Sequence, residues 1–282
     1  MSTEWSVLLP AVLALAEKAG HDIMAIYRDE SRWDVQHKED ASPLTAADLA
    51  SNRVLVPGLQ ALTPDIPVIS EECDESHFVQ RLSWPRCWLV DPLDGTKEFI
   101  ARNDEFSINI ALVENHEAVL GVVYSPVTQT AYMAARGAGA FRVKDGISMP
   151  LHSAKFPEAG EAFRIVASRR HRGARDLAFC ENVSRQLGPI ELALAGSAFK
   201  LCAVAEGAAH AYPRFGATME WDTAAGQVVV EEAGGALVDA KGRPFRYNQR
   251  DTLLNSSFLV VGRKLAVWMP AWQAAEKIPL RS

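Results

Sequence analysis

Apolar residues recur at helical spacing through Leu8, Val12, Leu15, Ala19, Ile23 and Ile26, past the polar pair Glu17-Lys18, and this predicts an amphipathic first helix. Residues 33–38 read as a strand, and Ser42-Pro43-Leu44-Thr45-Ala46-Ala47-Asp48 opens a second helix running to about Leu62. A short strand at Val68-Ile69 ends in Ser70-Glu71-Glu72. The apolar run of residues 86–90 stops at Asp91-Pro92, where proline forbids continuation. Residues 106–112 alternate large apolar with small or polar side chains, as a strand with one buried face does. Residues 121–124, 130–134 and 140–143 continue as strands between Pro and Gly turns. The first half thus predicts two helices on an antiparallel sheet. Residues 153–162 are polar and without pattern, and they mark a boundary between an N-terminal unit, 1–155, and a C-terminal unit, 156–282. Beyond it, strands at 163–167 and 190–194 alternate with helices at 174–187, 198–205 and 223–233. Asp222 is the expected N-cap of the last helix, and Gly234-Gly235 closes it. The expected class is α/β in the broad sense (α+β), with an antiparallel-sheet first half and an α/β second half.

Composition narrows the function. Hydrophobic residues make up 48% of the 282 residues and charged residues 23%, which excludes a disordered chain. The net charge of −6 provides no field for non-specific nucleic-acid binding or for an anionic membrane surface. An anionic substrate would need a local device such as bound metal ions. Cys73, Cys87, Cys180 and Cys202 are scattered and form no CxxC pair, which suits free thiols in a reducing cytoplasm. The apolar stretch at residues 6–16 is not preceded by Lys or Arg, and Glu4 has the wrong sign for a signal peptide. No stretch approaches the ~20 apolar residues of a membrane span.

Candidate chemistry is concentrated in Asp91-Pro92-Leu93-Asp94-Gly95-Thr96-Lys97-Glu98-Phe99. Two carboxylates three residues apart on such a turn can aim at one point. At 4 Å and an effective dielectric of 20 they would repel by about 4 kcal/mol, so a divalent cation is the natural compensator. An Asp-rich turn satisfied by its own backbone N–H groups is the alternative. Glu71 and Glu72 arrive at another strand end, and Asp222 at the mouth of a helix. Each has an ordinary reading alone, as a solvated pair and as a helix cap. Together, three acidic sites at element ends, without clusters of His or Cys, describe a magnesium site rather than a zinc site.

Ser70-Glu71-Glu72, the Asp91–Phe99 segment and Trp221-Asp222-Thr223-Ala224-Ala225-Gly226 resemble the three motifs of the inositol monophosphatase superfamily. The likeness runs from the first helix through Gly262. Within the superfamily, Lys97-Glu98, residues 42–48, Gly196-Ser197-Ala198-Phe199-Lys200, Val204-Ala205-Glu206-Gly207 and Tyr212-Pro213-Arg214-Phe215-Gly216 resemble the bacterial 3′(2′),5′-bisphosphate nucleotidases. The resemblance implies a layered α/β/α/β/α sandwich. It also implies two or three Mg2+ ions on Glu71, Asp91, the Leu93 carbonyl, Asp94 and Asp222. By the same resemblance Thr96 orients the attacking water with Asp48 as its partner, and Glu72 supports the site from behind. Substrate contacts are implied at Glu71, Leu93, Asp94, Gly95, Thr96, His171, Ser197, Lys200, Arg214 and Asp222, with Lys200 and Arg214 suited to the phosphate that is not cleaved. The implied activity is hydrolysis of adenosine 3′,5′-bisphosphate to AMP in sulfate assimilation, and also of the sulfated nucleotide. An inositol or sugar phosphatase on the same fold is the alternative, and a non-catalytic sensor is a further one. The implied partner is a small nucleotide, in a monomer or homodimer. The implied location is the cytoplasm or the cytoplasmic side of the inner membrane.

Overall fold

The computed structural model describes residues 4–37, 43–168 and 173–279. After α1 (Leu9–Tyr27) come the short strands β1 (Gln36–His37) and β2 (Pro43–Leu44), then α2 (Ala46–Leu62). The first large sheet is built from β3 (Val68–Ser70), β4 (Arg86–Asp94), β5 (Ser107–Glu114), β6 (Glu117–Ser125), β7 (Thr130–Ala135), β8 (Gly139–Lys144) and β9 (Ile147–Pro150). A single turn of helix, α3 (Thr96–Ile100), sits between β4 and β5. The second half follows as β10 (Phe163–Ser168), α4 (Ala174–Gln186), β11 (Ile190–Ala195), α5 (Phe199–Ala205), β12 (Ala211–Arg214), α6 (Glu220–Glu232), β13 (Ala236–Val238), β14 (Phe258–Val261) and α7 (Leu265–Glu276).

The first sheet keeps its strands in chain order from β3 to β9. It is not purely antiparallel, because β3 runs parallel to β4. The second sheet has the order β11-β10-β12-β14-β13, with β10 parallel to both β11 and β12 and β14 antiparallel to its neighbours. Three layers of helices cover these two sheets. Along β4, Trp88 and Val90 point into a core shared with Val12, Ile23 and Leu55 of α1 and α2. Cys87 and Leu89, on the opposite face, join a core with Leu201, Ala225, Val228 and Val229 of α5 and α6. The far face of the second sheet packs Ile165 and Leu259 on Phe179 of α4 and Trp268 and Trp272 of α7. The order is therefore helices, sheet, helices, sheet, helices, as expected.

Close approach of the central layer is set by small residues. A side-chain carbon on Gly121 of β6 would stand 2.3 Å from the Ala225 carbonyl oxygen, so glycine there lets α6 lie directly on the sheet. The linking residues 151–162 carry no helix or strand.

Four local expectations change. Of residues 33–38, only Gln36 and His37 form a strand; Trp33 follows a 3-10 turn and its Nε1 donates to the Ile26 carbonyl at 3.1 Å, while Lys38 lies outside the described residues. β4 does not stop at Asp91: it continues through Pro92 to Asp94, with a shifted register between Asp91 and Asp94. Proline lacks only an N–H, so a strand tolerates it where the ladder is already irregular. β5 is buried on both faces, not one. Asp222 is the third residue of α6 and not its N-cap; its carboxylate reaches back to the Met219 N–H at 2.8 Å.

Candidate active site

Each acidic residue is brought to the cleft by the end of an element. Glu71 follows β3, and its N–H is bonded to the Val90 carbonyl at 3.1 Å. The irregular end of β4 turns Asp91, Leu93 and Asp94 toward the same space, and Asp91 Oδ1 accepts from the Leu93 N–H at 3.0 Å. Ser51 of α2 fixes this bend by donating to the Pro92 carbonyl at 2.7 Å. Gly95, at φ +95°, takes the left-handed turn that starts α3 and presents Thr96. The first turn of α6 supplies Asp222. Carboxylate oxygens of Asp91, Asp94 and Asp222 all lie within 4.8 Å of one another.

Asp48 serves two tasks from the first turn of α2. Its Oδ2 accepts from the Thr45 N–H at 2.8 Å and the Thr45 hydroxyl at 2.6 Å, completing a capping box. Its Oδ1 faces the Thr96 hydroxyl at 3.3 Å, and the Leu93 carbonyl lies 3.5 Å from that hydroxyl. The pairing expected between Thr96 and Asp48 is thus present.

The electrostatics of the cleft are dominated by carboxylates held close together. Asp91 is 2% exposed. Burial pushes its carboxyl well above the usual range, and the negative charges of Glu71, Asp94, Asp222 and Asp48 push it further. Asp222 is raised by burial first, then by Asp94 and Glu71. The charges acting most strongly on Asp91 all have one sign. The hard oxygen donors of Asp91, Asp94 and Asp222, crowded in this way, fit a hard divalent cation such as magnesium.

Two adjoining hollows make up the cleft. One, of about 380 Å³, is lined by Glu71, Asp91, Leu93, Asp94, Gly95, Thr96 and Asp222. The other, of about 160 Å³, is lined by Ser197, Lys200, Tyr212 and Arg214, and the two share Asp94, Arg214 and Asp222. Lys200 is 7% exposed, not a surface cation, and its Nζ donates to the Ser197 carbonyl at 2.6 Å. Burial lowers its pKa to about 8 against the raising pull of Asp94. Arg214 donates to the Ala217 carbonyl at 3.0 Å and keeps a buried Nε without a hydrogen-bond partner. Glu72 stands in the turn beside Glu71, half-buried and outside both linings, with its N–H 3.4 Å from the Ser70 hydroxyl. His171 lies outside the described residues.

Sequence reasoning missed Ser107 and Asn109. The Ser197 hydroxyl donates to Asp94 Oδ2 at 2.6 Å and meets the Ser107 hydroxyl at 2.5 Å. Asn109 Nδ2 reaches Asp94 Oδ2 at 3.4 Å, and its Oδ1 accepts from Ser107 at 2.9 Å. The polar alternation along β5 was the available signal: those positions face this buried network instead of solvent.

The sequence profile of the Inositol monophosphatase family matches residues 4–273. The chain is 44% identical over 255 residues to the 3′(2′),5′-bisphosphate nucleotidase CysQ of Escherichia coli strain K12, covering 90% of this chain and 99% of that protein. It is 37% identical over 256 residues to the CysQ nucleotidase of Buchnera aphidicola, covering 90% of this chain and 93% of that one. The crystal structure of CysQ from Bacteroides thetaiotaomicron superimposes with a TM-score of 0.79 at 38% identity, over 93% of this chain and 99% of that one. An IMPase of Thermotoga maritima shares the fold, with a TM-score of 0.75 at 24% identity over 95% of this chain and 98% of that one. The motifs, the layered architecture and these matches agree: the chain belongs to the inositol monophosphatase family.

Proposed function

We propose that this protein is a magnesium-dependent 3′(2′),5′-bisphosphate nucleotidase that hydrolyses adenosine 3′,5′-bisphosphate to AMP and phosphate. Its sulfated counterpart is a second substrate of the same kind, and the reaction clears a by-product of sulfate assimilation in the cytoplasm. The observation that carries this reading is the union, in one cleft, of a partly buried carboxylate cluster with the two cations Lys200 and Arg214. The likeness to the CysQ nucleotidases supports the choice of nucleotide. No helix among the described residues is long and apolar enough to cross a membrane.

Glu71, Asp91, the Leu93 carbonyl, Asp94 and Asp222 would hold two or three magnesium ions. When bound, magnesium neutralises the phosphate dianion and favours hydroxide over water at neutral pH. The chain's own residues do the rest. Lys200 and Arg214 bind the phosphate that stays on the nucleotide by charge-assisted hydrogen bonds, and so set which phosphate enters the acidic hollow. Thr96, donating toward Asp48, keeps its oxygen lone pairs for a proton of the attacking water and fixes the direction of attack. Asp48 is held for this by Thr45, so the water-orienting pair is anchored on the capped end of α2. Glu72 steadies the Glu71 turn, and Ser197 joins Asp94 to the nucleotide side of the cleft. His171 is assigned a nucleotide contact on resemblance alone.

Phosphate release from adenosine 3′,5′-bisphosphate, inositol 1-phosphate and fructose 1,6-bisphosphate, each with and without magnesium, tests the reading. It expects magnesium-dependent turnover with the adenosine bisphosphate preferred by kcat/KM. Preference for either of the other two would make the chain an inositol or sugar phosphatase.

A further inference from the structure

A buried ionic cluster lies directly behind the cleft. Glu220, two residues before Asp222, is fully buried. Its Oε2 accepts from the Asn248 N–H at 2.6 Å and its Oε1 pairs with Arg250 at 3.1 Å. Arg81, in a 3-10 turn of the segment that links Glu71 to β4, is 6% exposed. It donates to Asn248 Oδ1 at 3.1 Å and to the carbonyls of Arg250 and Asp251 at 2.8 and 2.5 Å. Asn248 returns a bond to the Arg81 carbonyl at 2.6 Å. The same loop then runs along the start of α6: the Glu220 N–H bonds to the Leu253 carbonyl at 2.9 Å, and Asn255 donates to the Met219 carbonyl at 2.7 Å.

Burying a glutamate and an arginine is costly even when they are well hydrogen-bonded, so such a cluster is a poor way merely to fill space. What this cluster does geometrically is specific. Glu71 follows β3 of the first sheet, whereas Asp222 sits in the first turn of α6, the helix that packs on that sheet. Arg81 and Glu220, both gripping residues 248–251, tie the segment that follows Glu71 to the start of α6 in addition to that packing. We propose that Arg81 and Glu220 form a positioning pair that sets the spacing between the Glu71 and Asp222 arms of the metal site. The pair touches neither substrate nor ion; it acts through the loop. The proposal rests on the metal reading given above.

Arg81→Lys and Glu220→Gln test it. Both conserve size, and Gln keeps an acceptor for the Asn248 N–H while losing the charge. Two quantities are read: the magnesium concentration giving half of the metal-induced rise in melting temperature, and that giving half-maximal phosphate release. Both midpoints are expected to rise about tenfold or more, the scale seen when groups behind a metal ligand are altered. Glu276→Gln is the control. It removes the partly buried ion pair with Arg175, in the outer helix layer away from the cleft, and is expected to lower the melting temperature with both midpoints unchanged. Should Arg81→Lys fail to fold, Glu220→Gln carries the test by itself. Midpoints equal to wild type in the folded variants, or shifted as much by Glu276→Gln, would overturn the proposal. A wild-type protein whose melting does not respond to magnesium would remove the metal reading and the proposal with it.

Discussion

Lys200 illustrates how much a single side chain depends on its surroundings. Its stem is enclosed, its ammonium lies over the Tyr212 ring at 5.6 Å, and burial brings its pKa to about 8. A lysine with a lowered pKa is charged below that value and loses its proton above it. The kcat/KM for adenosine 3′,5′-bisphosphate is therefore expected to fall above about pH 8 more steeply than for a 3′-monophosphate, which lacks the second phosphate. In Lys200→Arg, whose guanidinium does not titrate, that extra limb should vanish. An identical alkaline limb on both substrates would place Lys200 away from the uncleaved phosphate. Truncation tests the same assignment at neutral pH. Lys200→Ala or Arg214→Ala should cost roughly 1.5–3 kcal/mol, or about 10- to 150-fold in kcat/KM for the bisphosphate. Losses on the monophosphate should be far smaller, and equal losses would contradict the assignment.

At the scale of elements, α6 is the part whose position matters most, since it carries Asp222 and lies against both sheets. Gly121→Ala would press a methyl group on the Ala225 backbone, which cannot move as a side chain can. We expect a loss of about 1–3 kcal/mol in stability, typical of overpacking, together with a higher magnesium requirement as α6 lifts from the sheet. Denaturant unfolding and a magnesium titration check the two parts, and an unaffected midpoint would mean that Asp222 tolerates the shift. Helices α1, α2, α4, α5 and α6 and the α+β class were legible from the local pattern, whereas the layered order followed only from the family resemblance, and α3 and α7 were not read. Nor was the path of β4. Pro92 removes one donor and reads as a stop, yet the ladder was already broken there by the bend that presents Asp91 and Asp94. Likewise, Ser107 and Asn109 look like a solvent face until the Ser197 turn is known to lie over them. Asp222 as third residue of α6, and Lys200 as a buried cation, depend on contacts between segments distant in sequence, which local pattern does not contain.

Across the whole molecule, the acidic cluster links folding to pH. Asp91 and Asp222 hold protons in the metal-free fold that the unfolded chain releases above its ordinary carboxyl range. Where the native state binds more protons, stability falls as pH rises, from the unfolded pKa up to the raised native values. In a chelator, the melting temperature is thus expected to be higher near pH 5.5 than near pH 7.5 through this contribution, and saturating magnesium should flatten the difference. A pH-independent difference between the metal-free and magnesium-loaded proteins would argue against protonated carboxyls in the cleft.

Asp91→Asn tests the central claim, that the carboxylate cluster exists to bind metal for phosphate chemistry, most directly. Phosphate release from adenosine 3′,5′-bisphosphate and melting temperature are measured on the same sample with and without magnesium. Asparagine removes a carboxyl that the metal-free fold keeps protonated, at a cost, above the unfolded carboxyl range, and should raise the melting temperature of the metal-free protein at neutral pH by about 2–4 °C for each kcal/mol gained. The same change should abolish most of the magnesium-induced stabilisation and reduce phosphate release to below a tenth of wild type. A variant that keeps more than a tenth of the rate, or is stabilised by magnesium as wild type is, would contradict the account.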